Sequence, residues 1–232
     1  MKAIVQDMYG SPDVLELREI DKPEIGDRDL LVRVHAAAVD RGVWHLMTGL
    51  PYLVRLVSGL RAPKARVPGM DVAGRVEAVG NDVTRFQPGD EVFGTGHGSF
   101  AEYASAREDR IAPKPANLTF EQAATVPVSG FTAFQGVRDV GKVQPGHKVL
   151  IIGAAGGVGT FAVQLAKAFG AEVTGVCSTT KVDLVRSIGA GDVIGANRSD
   201  QIHLRRAADA GHVRSVRLRH LHRERPHASR RP

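Results

Sequence analysis

Residues 148–159 read Lys-Val-Leu-Ile-Ile-Gly-Ala-Ala-Gly-Gly-Val-Gly, an apolar run that ends in clustered glycines and leads straight into Thr-Phe-Ala-Val-Gln-Leu-Ala-Lys-Ala-Phe. Glycine lets a backbone approach a bulky anion closely. The first turn of a helix adds amides without intrahelical partners and the positive end of its dipole. A strand, a Gly-rich turn and a helix in this order therefore suit a pyrophosphate. The candidate contacts are Gly156, Gly157 and Gly159, with Gly153, Ala154 and Val158 completing the turn. The competing reading is a turn with a purely structural role.

About twenty residues beyond such glycines, the end of the second strand reads the ribose: an acid there accepts hydrogen bonds from a 2′-hydroxyl. This chain has Val176-Cys-Ser-Thr-Thr-Lys181 and no acid. Ser178, Thr179 and Lys181 can donate to a 2′-phosphate that a carboxylate would repel, so NADP(H) is expected over NAD(H). The alternative is a pair of helix-capping hydroxyls and a solvated lysine. Cys177, the only cysteine, lies at the end of an apolar strand, where a small buried hydrophobe is the common role. One cysteine excludes an intramolecular disulfide and any multi-cysteine zinc cage.

These residues need elements to hold them. Strand at 148–152, helix at 158–169, Gly170 as its stop, strand at 172–177 and helix at 181–188 alternate as in a doubly wound parallel sheet. Upstream, the Pro-rich joint 112–115 precedes Thr119-x-x-Gln122, a capping box that should open a helix. Before that joint, short strand-like runs at 29–39, 72–79 and 91–93 alternate with Gly, Pro and Asp, which suggests a barrel-like β domain. Residues 44–60 read as a helix or an excursion between strands, interrupted by Pro51.

Beyond Gly195 neither a two-residue nor a helical period is sustained, and two strands with part of a third fit between Lys148 and Ile194. An open dinucleotide sheet has about six. The net charge of +6 sits entirely at this end: residues 199–232 hold nine Arg and three acids, and the remaining 22 basic and 22 acidic side chains of residues 1–198 cancel. No aromatic residues interleave with these arginines, so a nucleic-acid arm is the less favoured explanation. An out-of-frame or truncated C-terminus, which would leave an inactive fragment, is the favoured one. No apolar run reaches the length of about eighteen residues that a membrane helix needs. The first residues read as a strand rather than a signal peptide. A cytoplasmic protein without a membrane partner is expected.

The phrases PGMDVAGRVEAVG, RFQPGDEVFG, GSFAEYA, EQAATVPVSGFTAF and VLIIGAAGGVGTFAVQLAKAFGAEVTGVCST follow one another in the order found in the medium-chain dehydrogenase/reductase superfamily. Over residues 1–195 the chain resembles its zinc-independent, quinone oxidoreductase-like members. The resemblance implies an α/β plus β fold. Residues 1–118 would form a GroES-like (chaperonin-10-like) catalytic and substrate domain, and residues 119–195 an incomplete Rossmann-type NADP(H)-binding domain. An Arg/His-rich tail, expected to be disordered, would follow at 196–232. It also implies reduction of a quinone, enone or related carbonyl compound by NADPH. In zinc members a Cys after the first long strand and a His-Glu pair in the second motif supply ligands. The matching positions here are Val39-Asp40-Arg41-Gly42 and Gly69-Met70-Asp71, so no zinc is expected, and His35, His45 and His97 lie outside those motifs. Asp40 matches the acid of the family's active-site loop, Tyr52 stands near its tyrosine, and Thr132 matches a threonine that approaches the nicotinamide. A homodimer stays open, because relatives pair through a sheet edge that this chain lacks.

Overall fold

A computed structural model describes residues 1–196 and the backbone of Arg214–Ser215. The expected tail at 196–232 lies outside the described residues, apart from Ala196 and that short segment. The described chain forms two compact units that divide between Phe131 and Thr132.

In the first unit, β1 (Lys2–Gln6) pairs antiparallel with β2 (Leu15–Glu19). Five further strands form an antiparallel sheet in the order β6-β3-β4-β5-β7: β3 (Asp29–Ala36), β4 (Asp71–Val79), β5 (Glu91–Thr95), β6 (Tyr103–Arg107) and β7 (Ile111–Pro113). Alternation puts Leu30, Val32, Val72, Val76, Val92, Ala104 and Ala106 on one buried face, where they form the core of this unit with Phe86 and Ile111. The strand expected over 29–39 stops at Ala36, because the chain there leaves the sheet to enter α1 (Arg41–Thr48). Asp40 caps α1, and Gly49, at φ +63°, ends it. A 3₁₀ turn at Tyr52–Val54 and the short α2 (Arg55–Ser58) complete the excursion, with Pro51 at its break as expected.

The Thr119–Gln122 capping box is formed: the Gln122 amide donates to the Thr119 hydroxyl at 3.2 Å, and the Thr119 amide to the Gln122 side chain at 3.0 Å. It opens α3 (Phe120–Ala124), whose Ala123 and Ala124 pack with Ala73 of β4. The segment after the Pro-rich joint thus packs on the β sheet, and the compact unit extends beyond residue 118 into α4 (Pro127–Phe134).

The second unit carries a π-helical turn at Gln135–Val140, then β8 (Lys148–Ile152), α5 (Gly157–Ala168), β9 (Glu172–Cys177), α6 (Val182–Ser187) and β10 (Asp192–Gly195). All pairings are parallel, in the order β10-β9-β8-β11, where β11 is Arg214–Ser215 beside Val149 and Leu150. Numbered within this unit the order is 3-2-1-4, that of the first strands of a dinucleotide-binding sheet. The sequence reading counted two strands and part of a third. The two residues of β11 carry no periodicity by which to find them. Ala162, Val163 and Ala166 of α5 and Val185 of α6 meet Val149, Ile151 and Val173 in the core. Short side chains allow that close helix-to-sheet contact.

Candidate functional site

The turn between β8 and α5 is built from backbone. Gly153 adopts φ +81°, a left-handed conformation that favours glycine. The Gly153 and Ala154 amides donate to the Val176 carbonyl at 2.9 and 3.0 Å, and this ties the turn to the end of β9. A side chain on Gly159 would fall inside van der Waals contact of the Gly153 carbonyl oxygen and the Ala154 Cα. That close approach is what brings the start of α5 against the strand. Gly156 caps α5 without any side-chain partner, and Gly153, Gly156 and Gly157 are exposed. The first-turn amides of α5, at Gly157, Val158 and Gly159, have no intrahelical acceptor. Ala154 is buried and supports the turn from below. Exposed glycines, first-turn amides without intrahelical acceptors and the dipole end of a twelve-residue helix fit an anionic group.

β9 ends beside this turn, and Ser178, Thr179, Thr180 and Lys181 follow it, all exposed. The Ser178 and Thr180 hydroxyls are 3.3 Å apart, and the Lys181 amide closes the 3₁₀ turn onto the Ser178 carbonyl at 2.9 Å. The nearest acid along the chain, Asp183, faces Arg186 at 3.8 Å. No acid pairs with Lys181 among the described residues. Burial pushes the Cys177 thiol up, with Lys181 acting weakly in the opposite sense. Thr132 belongs to this unit, half-buried on α4.

The first unit holds Asp40, Tyr52 and a group the sequence reading passed over. Asp40 Oδ1 accepts from the Gly42 and Val43 amides as the cap of α1, while its Oδ2 is buried without a hydrogen-bond partner. Tyr52 is 72% exposed, with the Arg55 guanidinium over its ring. Asp71, at the start of β4, is 1% exposed and accepts from the Val128 amide at 2.8 Å. Burial pushes its carboxyl up to about 7; the Asp40 charge adds to the rise and the Val128 hydrogen bond opposes it. The sequence signal for Asp71 is an acid opening an otherwise apolar Val-Ala-Gly strand. His35 stacks on Phe120, with ring centroids 4.4 Å apart, and His45 Nδ1 lies 2.6 Å from the Leu50 carbonyl oxygen. Among the described residues, no three His, Cys, Asp or Glu side chains are placed to share a metal ion.

A small antiparallel β domain is thus followed by a parallel sheet whose Gly-rich first turn has the layout of a dinucleotide-binding sheet. Residues 26–116 match the alcohol dehydrogenase GroES-like domain. The chain is 38% identical over 203 residues to 2-methylene-furan-3-one reductase of Solanum lycopersicum, covering 82% of this chain and 50% of that one. It is 35% identical over 189 residues to the quinone oxidoreductase of Homo sapiens, covering 77% and 53%. Among solved structures, the quinone oxidoreductase of Coxiella burnetii superposes with a TM-score of 0.77 at 34% identity, over 89% of this chain and 65% of that one. An NAD-dependent alcohol dehydrogenase gives 0.74 at 31%, over 90% and 68%. A mycobacterial protein solved as a complex with NADPH gives 0.78 at 29%, over 90% and 63%. The chain belongs to the medium-chain dehydrogenase/reductase superfamily and is quinone oxidoreductase-like. It spans about half the length of the curated relatives it matches.

Proposed function

We propose that this protein is an NADPH-dependent reductase that acts without zinc on a quinone, an enone or a related carbonyl compound. The observation that carries the reading is the Gly153–Gly159 turn, whose exposed glycines at 153, 156 and 157 and open helix end sit next to an acid-free Ser178–Lys181 segment. In this reading the amides of Gly157, Val158 and Gly159 bind the pyrophosphate, and Ser178, Thr179 and Lys181 hold the 2′-phosphate. Lys181 supplies the charge that favours a phosphate over a hydroxyl. When bound, NADPH supplies the hydride. The chain's own work is orientation and exclusion of water. Thr132 would steady the nicotinamide end and the Tyr52 hydroxyl would orient the acceptor carbonyl. Asp40 Oδ2, buried and without a partner, is free to accept one further hydrogen bond. The names of the relatives support a quinone or enone acceptor and a nicotinamide cofactor.

Separate titrations with NADPH and NADH, read by nucleotide fluorescence and by the thermal midpoint, test this directly, because a ligand of the folded state raises stability by mass action. Saturable binding with NADPH favoured at least about tenfold, or about 1.4 kcal/mol, is expected. Equal or tighter binding of NADH would overturn the choice of cofactor, and binding of neither would overturn the function. Stoichiometric zinc in the purified protein would overturn the metal-free reading.

A further inference from the structure

Residues 41–70 hold five basic side chains, Arg41, Arg55, Arg61, Lys64 and Arg66, and no acid. In their midst Leu53, Leu56, Val57 and Leu60 recur at i, i+3, i+4 and i+7, the spacing of a stripe that a surface helix ordinarily turns inward; Leu53 lies in the 3₁₀ turn, Leu56 and Val57 on the four-residue α2, and Leu60 just beyond Gly59 at φ +123°. Here it faces outward: each of the four is between 67% and 75% exposed, and Leu50 and Tyr52 extend the patch.

The lobe cannot simply roll this stripe under itself, because its other side is already fastened. Val43 and Met47 are buried. The Gln6 side chain donates to the Met47 carbonyl at 2.7 Å, the Tyr9 hydroxyl donates to the Gly59 carbonyl at 2.6 Å, and Arg55 lies over the Tyr9 ring while donating to the Gly49 carbonyl. Of the cations, Arg66 is answered by Asp7. Arg61 and Lys64 have no acidic partner among the described residues.

We propose that this lobe docks the protein on an anionic lipid surface. Leu53, Leu56, Val57 and Leu60 enter the boundary between headgroups and acyl chains, and Arg61 and Lys64 pair with lipid phosphates. An exposed apolar patch beside cations without acidic partners suits such an interface. A second copy fits poorly, since a two-fold contact would set cations against cations. No helix among the described residues is long and apolar enough to cross a membrane, so the attachment is peripheral.

The test uses the full chain with vesicles of phosphatidylcholine, alone or mixed with phosphatidylglycerol. Trp44, on α1, is the only tryptophan, so its emission reports on this lobe and not on the arginines beyond residue 199. Expected are co-sedimentation with the anionic vesicles, a blue shift of Trp44, quenching by brominated acyl chains, and loss of all three at high salt. The pairs Leu53→Asp/Leu56→Asp and Arg61→Glu/Lys64→Glu should each weaken binding at least tenfold without moving the thermal midpoint. Binding that leaves Trp44 unshifted, or that survives both pairs, would assign adsorption to another part of the chain and overturn the proposal. No binding to anionic vesicles, equal binding to neutral ones, or self-association that both pairs abolish would overturn it as well.

Discussion

Asp71 has almost no access to water, and its titration should be visible in the stability of the chain. Its carboxyl shifts from 3.8 to about 7 on folding. Between those values the folded state keeps a proton that the unfolded chain has lost. The contribution is therefore fully present below about pH 4, is lost as pH rises to about 7, and is flat beyond. Its size is at most about 4 kcal/mol. Asp71→Asn should remove this dependence, so denaturant melts should show the variant gaining on the parent between pH 4 and pH 7. Asp40→Asn keeps a competent helix cap but removes the neighbouring charge. It should move the midpoint of that dependence to lower pH, and a loss of turnover with α1 intact would show that the Asp40 charge matters to the reaction. At the turn, Gly159→Ala forces a methyl group against the Gly153 carbonyl. A loss of about 1–3 kcal/mol of stability is expected, with nucleotide affinity falling further than stability alone explains.

Among the elements, α3 was legible because its start is a local matter: a hydroxyl and a side-chain amide three residues apart satisfy each other's backbone donors. Thr119→Ala should cost about 1 kcal/mol, measurable as a lower thermal midpoint with nucleotide affinity unchanged. The bounds of β8, β9 and α5 were equally local, set by apolar runs and by Gly170 at φ +77°. The excursion over residues 41–60 was not. Its residues could be placed on helical turns from spacing, but whether the apolar stripe faces inward or outward depends on Gln6 and Tyr9, which hold its other side from far away in sequence. An expectation of no membrane partner that rests on the lack of a spanning run cannot register a lobe of this kind.

For the molecule as a whole, each unit has its own core, one of β3–β7 side chains and one of β8, β9, α5 and α6 side chains. Nucleotide binding should therefore be local in its effects. Hydrogen exchange with and without NADPH should show protection at residues 153–160 and 176–182 and none across β3 and β4; protection spread evenly over both cores would contradict this. Residues 1–198 carry no net charge, so within them salt should change nucleotide affinity through the phosphate contacts near Lys181.

Sequence alone determined the β-then-α/β order, the Gly-rich turn, the missing acid after β9 and the helix caps, because each is written in residues a few positions apart whose backbone preferences need no distant partner. Tertiary structure alone decided that Asp71 is sealed from water under α4, that Asp40 lies close enough to raise it, that Arg214–Ser215 joins β8, and that Leu53, Leu56, Val57 and Leu60 stay exposed. Those are facts of burial and proximity between segments far apart in the chain, and burial is set by what packs on a residue rather than by the residue itself.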